Sequence, residues 1–178
     1  LPSTDFPAVE SDTLSPPVSM GAETLKSLLD LTAFAMAQQD VRYFLNGMLL
    51  EESEGQLRSV ATDGHRLALN QVALSAQRDD GIGQVIVPRK GVIEMQRLLS
   101  DSPDDVEVSV SSSHLCLSSG PFVLTTKLVD GRFPDYQRVI PKDGDKIILA
   151  DKLELKRALN RTSILSNEKF RGVRVQFK

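Results

Sequence analysis

Val85-Ile-Val-Pro-Arg-Lys-Gly-Val-Ile-Glu-Met-Gln-Arg-Leu-Leu99 is the point at which the chain starts a pattern over again. Residues 85–87 read as a short strand. Pro88 suits the first turn of a helix, and Val92, Ile93, Met95, Leu98 and Leu99 supply its apolar side to about residue 99. Three segments follow, at about 106–111, 114–119 and 122–128, each alternating apolar and polar in the period-two manner of half-buried antiparallel strands. Upstream stands the same order. Residues 22–39 carry Leu25, Leu28, Leu29, Thr32, Ala35 and Met36 at three- and four-residue spacings, which predicts one apolar helix stripe. Strands are then expected at about 43–52, 56–62 and 66–74, the last two joined by Asp63-Gly64, a strong short-hairpin signal. The reading is an α+β domain of two halves, each a helix plus an antiparallel meander, with both helices on one face of the sheets.

A longer repeat frames this unit. Asp5-Phe6-Pro7 returns as Arg132-Phe133-Pro134, and Leu25-Lys26-x-x-Leu29-x-x-Thr32-x-Phe34 returns as Leu155-Lys156-x-x-Leu159-x-x-Thr162-x-Ile164, the two offsets being 127 and 130 residues. That is one domain length, so an array of similar domains is expected, each opened by a Phe-Pro linker and a helix. Residues 1–17, with Pro2, Pro7, Pro16 and Pro17, read as a connector, and a third copy is expected to open near Lys146. Both ends read as cut, and the third copy as too short to pack well.

The chain has 178 residues, 40% hydrophobic and 25% charged, enough to bury an ordinary core. No apolar run approaches the ~20 residues of a membrane span, and no signal peptide is visible. The single Cys116 falls in a strand pattern, predicting a small core residue and a reducing cytoplasm. Net charge is −3, yet the helix of residues 89–99 sums to +2 and the segment 151–165 also to +2, leaving −7 elsewhere. If the helices share a face, that face is basic and the rest acidic; the plainer account is a pair of ordinary solvated helix surfaces. With no Trp and no aromatics among the cations, such a face suits duplex phosphates without sequence preference, not stacked single-stranded bases.

Two strings stand out locally. In Val60-Ala-Thr-Asp-Gly-His-Arg-Leu-Ala68, turn geometry accounts for Asp63 and Gly64 but leaves His65 and Arg66 unexplained at the tip. Asp63 and His65 could form an acid/base pair acting on a phosphorylated substrate held by Arg89 and Lys90, but no metal-ligand spacing or complete phosphate loop accompanies them. Gly131-Arg-Phe-Pro-Asp-Tyr-Gln-Arg-Val-Ile-Pro141 reads as a stiff linker, with Phe133 and Tyr136 as interdomain glue and Pro134 and Val139 as glue or groove. A plain interaction module without a DNA role is a third possibility.

Asp40-Val-Arg-Tyr-Phe-Leu-Asn-Gly-Met48, Ala61-Thr-Asp-Gly-His-Arg-Leu-Ala68, Val85-Ile-Val-Pro-Arg-Lys-Gly91, Lys127-Leu-Val-Asp-Gly-Arg-Phe-Pro-Asp-Tyr136 and Ile164-Leu-Ser-Asn-Glu-Lys-Phe-Arg-Gly-Val173 together resemble the bacterial DNA polymerase III beta subunit, the sliding clamp, in order along essentially the whole chain. The resemblance implies the DNA clamp fold. It makes residues 1–17 the end of a first clamp domain and its linker, 18–141 a complete second domain, and 142–178 a truncated third. It implies a non-catalytic processivity factor of DNA polymerase III, cytoplasmic, with no cofactor, no metal and no membrane. Its expected partners are double-stranded DNA, the DNA polymerase III alpha subunit, the clamp loader and other proteins with clamp-binding motifs, and the full-length family forms a homodimeric ring. Carried over residue by residue, the peptide-binding cleft takes Arg42, Phe44, Leu45, Thr62, Gly64, His65, Arg66, Leu67, Pro134, Arg138 and Val139, and the DNA-facing set takes Gln39, Arg89, Lys90 and Arg97. The family completes that cleft with residues near its far C-terminus, which this sequence does not contain, and this length is expected not to close a ring.

Overall fold

A computed structural model describes residues 13–74, 81–102, 104–142, 144–166 and 172–176. The chain divides into two compact units, Leu1–Pro134 and Asp135–Lys178. Residues 1–12 of the connector expected over residues 1–17 lie outside the described residues.

In the first unit, β1 (Val18–Gly21) leads into α1 (Ala22–Ala33), followed by β2 (Gly47–Ser53), β3 (Gln56–Thr62) and β4 (Leu67–Ala73). The second half repeats this order with β5 (Gln84–Pro88), α2 (Arg89–Ser100), β6 (Asp105–Val110), β7 (His114–Ser119) and β8 (Phe122–Lys127). Two antiparallel four-stranded sheets result, ordered β4-β3-β2-β5 and β1-β6-β7-β8. Each meander is completed by the strand that precedes the other half's helix. β5 lies against β2, with Leu49 opposite Ile86, and β1 lies against β6, with Val18 opposite Val108. β1 escaped the sequence reading because four residues of mixed character carry no visible period.

Helices α1 and α2 pack side by side, α1 over β3 and β4 and α2 against strands of both sheets. One continuous core joins Leu25, Leu28, Leu29 and Met36 to Met48, Leu50 and Leu57 of one sheet, Met95 and Leu99 of α2, and Leu115 and Leu117 of the other. Every residue of the predicted α1 stripe is buried. Its one polar member, Thr32, is satisfied through Ser59 Oγ (3.0 Å) and the Leu28 carbonyl (3.2 Å), and Ser59 donates to the same carbonyl (2.8 Å). This buried knot ties α1 to β3.

The structure corrects three sequence readings. Helix α1 stops at Ala33 rather than near Gln39: the chain tightens through Ala35 N–H to the Thr32 carbonyl, turns so that Ala37 N–H meets the Leu45 carbonyl (3.0 Å), and reaches a left-handed Gln39 (φ 58°). Residues 43–46 form a 3-10 turn rather than the start of a strand, because Asn46 bonds the Asp40 backbone in both directions and outcompetes sheet pairing. Cys116 is half-buried on the side of β7 away from Leu115 and Leu117, with Sγ 3.2 Å from Thr125 Oγ1 across the ladder.

In the second unit, Tyr136–Arg138 forms a 3-10 turn and α3 spans Lys152–Ile164. Asp151 caps α3 by accepting from the backbone N–H groups of Leu153 (2.9 Å) and Glu154 (2.8 Å). None of the residues of α3 is buried.

Gly91 tests the packing of α2 on β8. A Cβ there would stand 2.6 Å from Thr126 Oγ1 and 3.1 Å from its Cβ, atoms of a short branched side chain with little freedom to retreat. Overpacking costs about 1–3 kcal/mol and exceeds the roughly 1 kcal/mol that Ala gains over Gly in a helix. Gly91→Ala is therefore expected to lower the urea midpoint, and Gly91→Ala with Thr126→Ala to restore it; a Gly91→Ala variant as stable as the parent would contradict the contact.

Candidate functional site

The four residues Asp63–Arg66 connect β3 to β4, whose last pair is Thr62 opposite Leu67. Their geometry is fixed by their own side chains. Asp63 Oδ1 accepts from the backbone N–H of His65 (2.9 Å) and Arg66 (3.0 Å), while Oδ2 accepts from Arg66 Nε (3.1 Å). Thr62 Oγ1 accepts from Gly64 N–H (3.1 Å) and donates to the Arg66 carbonyl (2.7 Å). Gly64 takes φ 87°, a conformation that side chains resist. The His65 N–H bond, followed by the contacts from Arg66, holds the Asp63 carboxyl below its ordinary value. Asp63 is thus an acceptor committed to the loop, bonded to backbone N–H groups and to Arg66, and these contacts give no support to the acid/base reading of Asp63 and His65. Among the described residues no cluster of three His, Cys, Asp or Glu could hold a metal.

A second short segment supports this tip from below. Asp40 grips Arg42 through three bonds: Oδ1 accepts from Arg42 N–H (2.8 Å) and Nε (3.0 Å), and Oδ2 accepts from Nη2 (2.8 Å). The guanidinium so fixed fills the space beneath Gly64, where an added Cβ would lie 3.1 Å from Arg42 Nη2. Arg66 crosses from the tip to the end of α1, donating from Nη2 to the Phe34 carbonyl (2.8 Å) with its guanidinium carbon 5.5 Å from the centre of the Phe34 ring. Tyr43 and Phe44 meet edge to face at 5.9 Å, and the Gly131 backbone runs against both.

The structure therefore gathers Arg42, Thr62, Gly64, His65 and Arg66 at one place, with half-buried Leu67 at its foot. Phe44 is half-buried beside the 128–133 segment; Leu45, 2% exposed, belongs to the interior; Pro134 is exposed. In the second unit, Arg138 pairs with Asp135 (2.8 Å) and Val139 is 67% exposed. Phe133, expected as interdomain glue, is buried and lines a cavity of about 250 Å³ with Leu49, Val85 and Ile86 of the first unit. Tyr136 is buried as well. Sequence reasoning gave no role to Asp40 or Phe34. The Asp40-x-Arg42 spacing was a usable signal, since two residues apart suits a side chain gripping its own backbone turn.

Of the expected DNA-facing residues, Lys90, Arg97 and Gln39 are exposed and Arg89 is half-buried. Arg97 pairs with Glu94 (3.2 Å). Arg89 and Lys90 stand in the first turn of α2, whose N-cap, Pro88, offers no side-chain acceptor and whose first turn holds no acid. Cations at the positive end of a helix are unfavourable without an anion to meet them.

The Asp40 grip sets a pH limit on the platform under the tip. Hydrogen bonds from the Arg42 side chain, then from its backbone, lower the Asp40 carboxyl from 3.8 to about 2. A depressed folded value means that the stabilisation is complete above about pH 4 and is lost as pH falls through 2. Carboxyl NMR titration is expected to give Asp40 a midpoint near 2 in the parent and a near-ordinary midpoint in Arg42→Ala; an ordinary midpoint in the parent would refute the grip.

Residues 19–135 match the family model for the DNA polymerase III beta subunit central domain, and 137–178 that for its C-terminal domain. The chain is 52% identical over 176 residues to the beta sliding clamp of Pseudomonas aeruginosa, covering 99% of this chain and 48% of that protein. It is 47% identical over 175 residues to that of Escherichia coli K12, covering 98% and 47%. A Pseudomonas aeruginosa sliding clamp solved bound to griselimycin superposes with a TM-score of 0.94 at 51% identity, covering all of this chain and 48% of that one. The Caulobacter crescentus pol III beta structure gives 0.85 at 40%, covering 93% and 46%. The chain thus has the clamp fold and spans about half the length of the relatives it matches. It belongs to the DNA polymerase III beta subunit family.

Proposed function

We propose that this chain is part of a DNA sliding clamp, a ring that encircles duplex DNA and tethers the replicative polymerase and other partners without catalysing a reaction. In this reading residues 1–17 end a first clamp domain, 18–141 form the second, and 142–178 open the third. Two such full-length subunits form the ring, working in the cytoplasm with no cofactor. The observation that carries the reading is the concentration of positive charge at the start of α2, where Arg89 and Lys90 meet an uncapped helix end in a chain of net charge −3. Phosphates satisfy such an end without reading bases, as sliding requires. Gln39 and Arg97 extend this DNA-facing set.

The hairpin tip is the proposed docking point for partner peptides. Leu67 and Pro134 offer apolar walls, backed by Phe44 and the interior Leu45, for the aliphatic and aromatic anchors of a Gln-x-x-Leu-Phe type motif. Arg42 and Arg66 offer charge-assisted bonds to its polar and carboxylate groups. Thr62, Gly64 and His65 set the height and shape of the rim. A tip locked by Asp63 and supported by Arg42 favours recognition, because its ordering cost is already met on folding.

Two measurements on the full-length dimeric ring test the two halves of the reading. With Arg89, Lys90 and Arg97 replaced by Ala, the slope of log Kobs against log salt for duplex DNA should become shallower by about 0.9 per phosphate contact removed; an unchanged slope would exclude these residues from the DNA face. Leu67→Ala should weaken binding of a fluorescein-labelled Gln-Ala-Asp-Leu-Phe peptide by more than about fivefold, and unaltered affinity would remove the tip from the docking site.

A further inference from the structure

We propose that Phe34, at the end of α1, is a positioning residue that holds Arg66 ready for the carboxylate groups of docking peptides; the proposal rests on the tip being the docking site. Phe34 is 58% exposed and contributes nothing to the continuous core, so burial does not explain an aromatic residue there. What it does touch is Arg66, in two separable ways. Its carbonyl, one of those left without an intrahelical partner at the negative end of α1, accepts from Arg66 Nη2 at 2.8 Å. Its ring lies beneath the guanidinium, with Arg66 Cζ 5.5 Å from the centroid. Any residue at position 34 can supply the carbonyl, whereas only an aromatic supplies the ring.

Asp63 Oδ2 closes the arrangement by accepting from Arg66 Nε at 3.1 Å. One edge of the planar fork is therefore fixed by an acceptor at each end and one face by the ring, while Nη1 makes no hydrogen bond or ion pair among the described residues. Arginine has several rotatable bonds, and holding it still in the free protein removes an ordering cost from binding. The fixed fork leaves Nη1 for an incoming carboxylate. The two contacts with Phe34 join the end of α1, a helix seated in the core through Leu25, Leu28 and Leu29, to the tip of the β3–β4 hairpin.

The test measures the labelled Gln-Ala-Asp-Leu-Phe peptide on full-length dimers carrying Phe34→Ala, Phe34→Tyr, Arg66→Ala and Phe34→Ala with Arg66→Ala, alongside the Arg66 Nε–H resonance of the unliganded parent, Phe34→Ala and Phe34→Tyr proteins. Loss of the ring should weaken binding about two- to fivefold and shift and broaden that resonance. Phe34→Tyr should restore both, and the double variant should bind no more weakly than Arg66→Ala alone. If Arg66→Ala weakens binding while Phe34→Ala leaves affinity and resonance unchanged, the positioning role is wrong and the docking site stands. If Arg66→Ala itself has no effect, Arg66 has no part in docking and both statements fall. The resonance is read in the folded, unliganded protein, so it decides the positioning role even if a variant loses thermal stability.

Discussion

The first unit depends on an exchange. β1 precedes α1 but completes the sheet that follows α2, and β5 precedes α2 but completes the sheet that follows α1. Neither half owns a four-stranded sheet, so neither has a full surface on which to seat its helix. The exchange also forces the two helices together, because the strand leading into each is pinned to the opposite sheet. Their shared contact then closes a single core through Met36, Met48, Met95 and Leu115 rather than two small ones. A three-stranded meander with one helix would be marginal by itself, and the doubled unit is not.

That arrangement explains which parts of the molecule were legible beforehand. The α1 and α2 stripes, the hairpin at residues 56–74 and the strands from 105 to 128 follow from side-chain periodicity, and periodicity survives in the sequence because one face of each element is buried. What periodicity cannot carry is pairing between strands far apart in the chain, so β1 went unseen and the sheets read as three-stranded. It also fails where side chains bond locally: Asn46 closing on the Asp40 backbone turns an apparent strand into a 3-10 turn. Cys116 sits within an alternating run, and the run alone does not say which alternate face is the inner one. Leu115 and Leu117 decide it, once their partners across the sheet are known.

The tip was legible as a turn from Asp63-Gly64, and the resemblance pointed to its neighbours; the contacts that hold it were not. The tip is held by contacts between residues far apart in sequence: Arg42 beneath Gly64 and Arg66 onto Phe34. No local pattern encodes an arginine filling the space under a glycine. The charge on α2 was visible as a sum, but its effect depends on where the helix begins. Arg89 and Lys90 are notable because Pro88 is the N-cap and leaves the end uncapped, not because they are two cations among the 21 of the chain.

A flexible loop bears an ordering cost at each binding event, and a loop ordered on folding does not. Here the order is built in by a sequence of dependencies. The core fixes α1, the last turn of α1 presents the Phe34 carbonyl and ring, these hold Arg66, and Arg66 with Asp63 holds the loop whose Gly64 rests on Arg42. Each step is a short-range contact of modest energy, yet each has its partner already immobilised by the step before. The tip is thereby tied to the core through a chain of side-chain contacts, although Gly64, His65 and Arg66 are exposed.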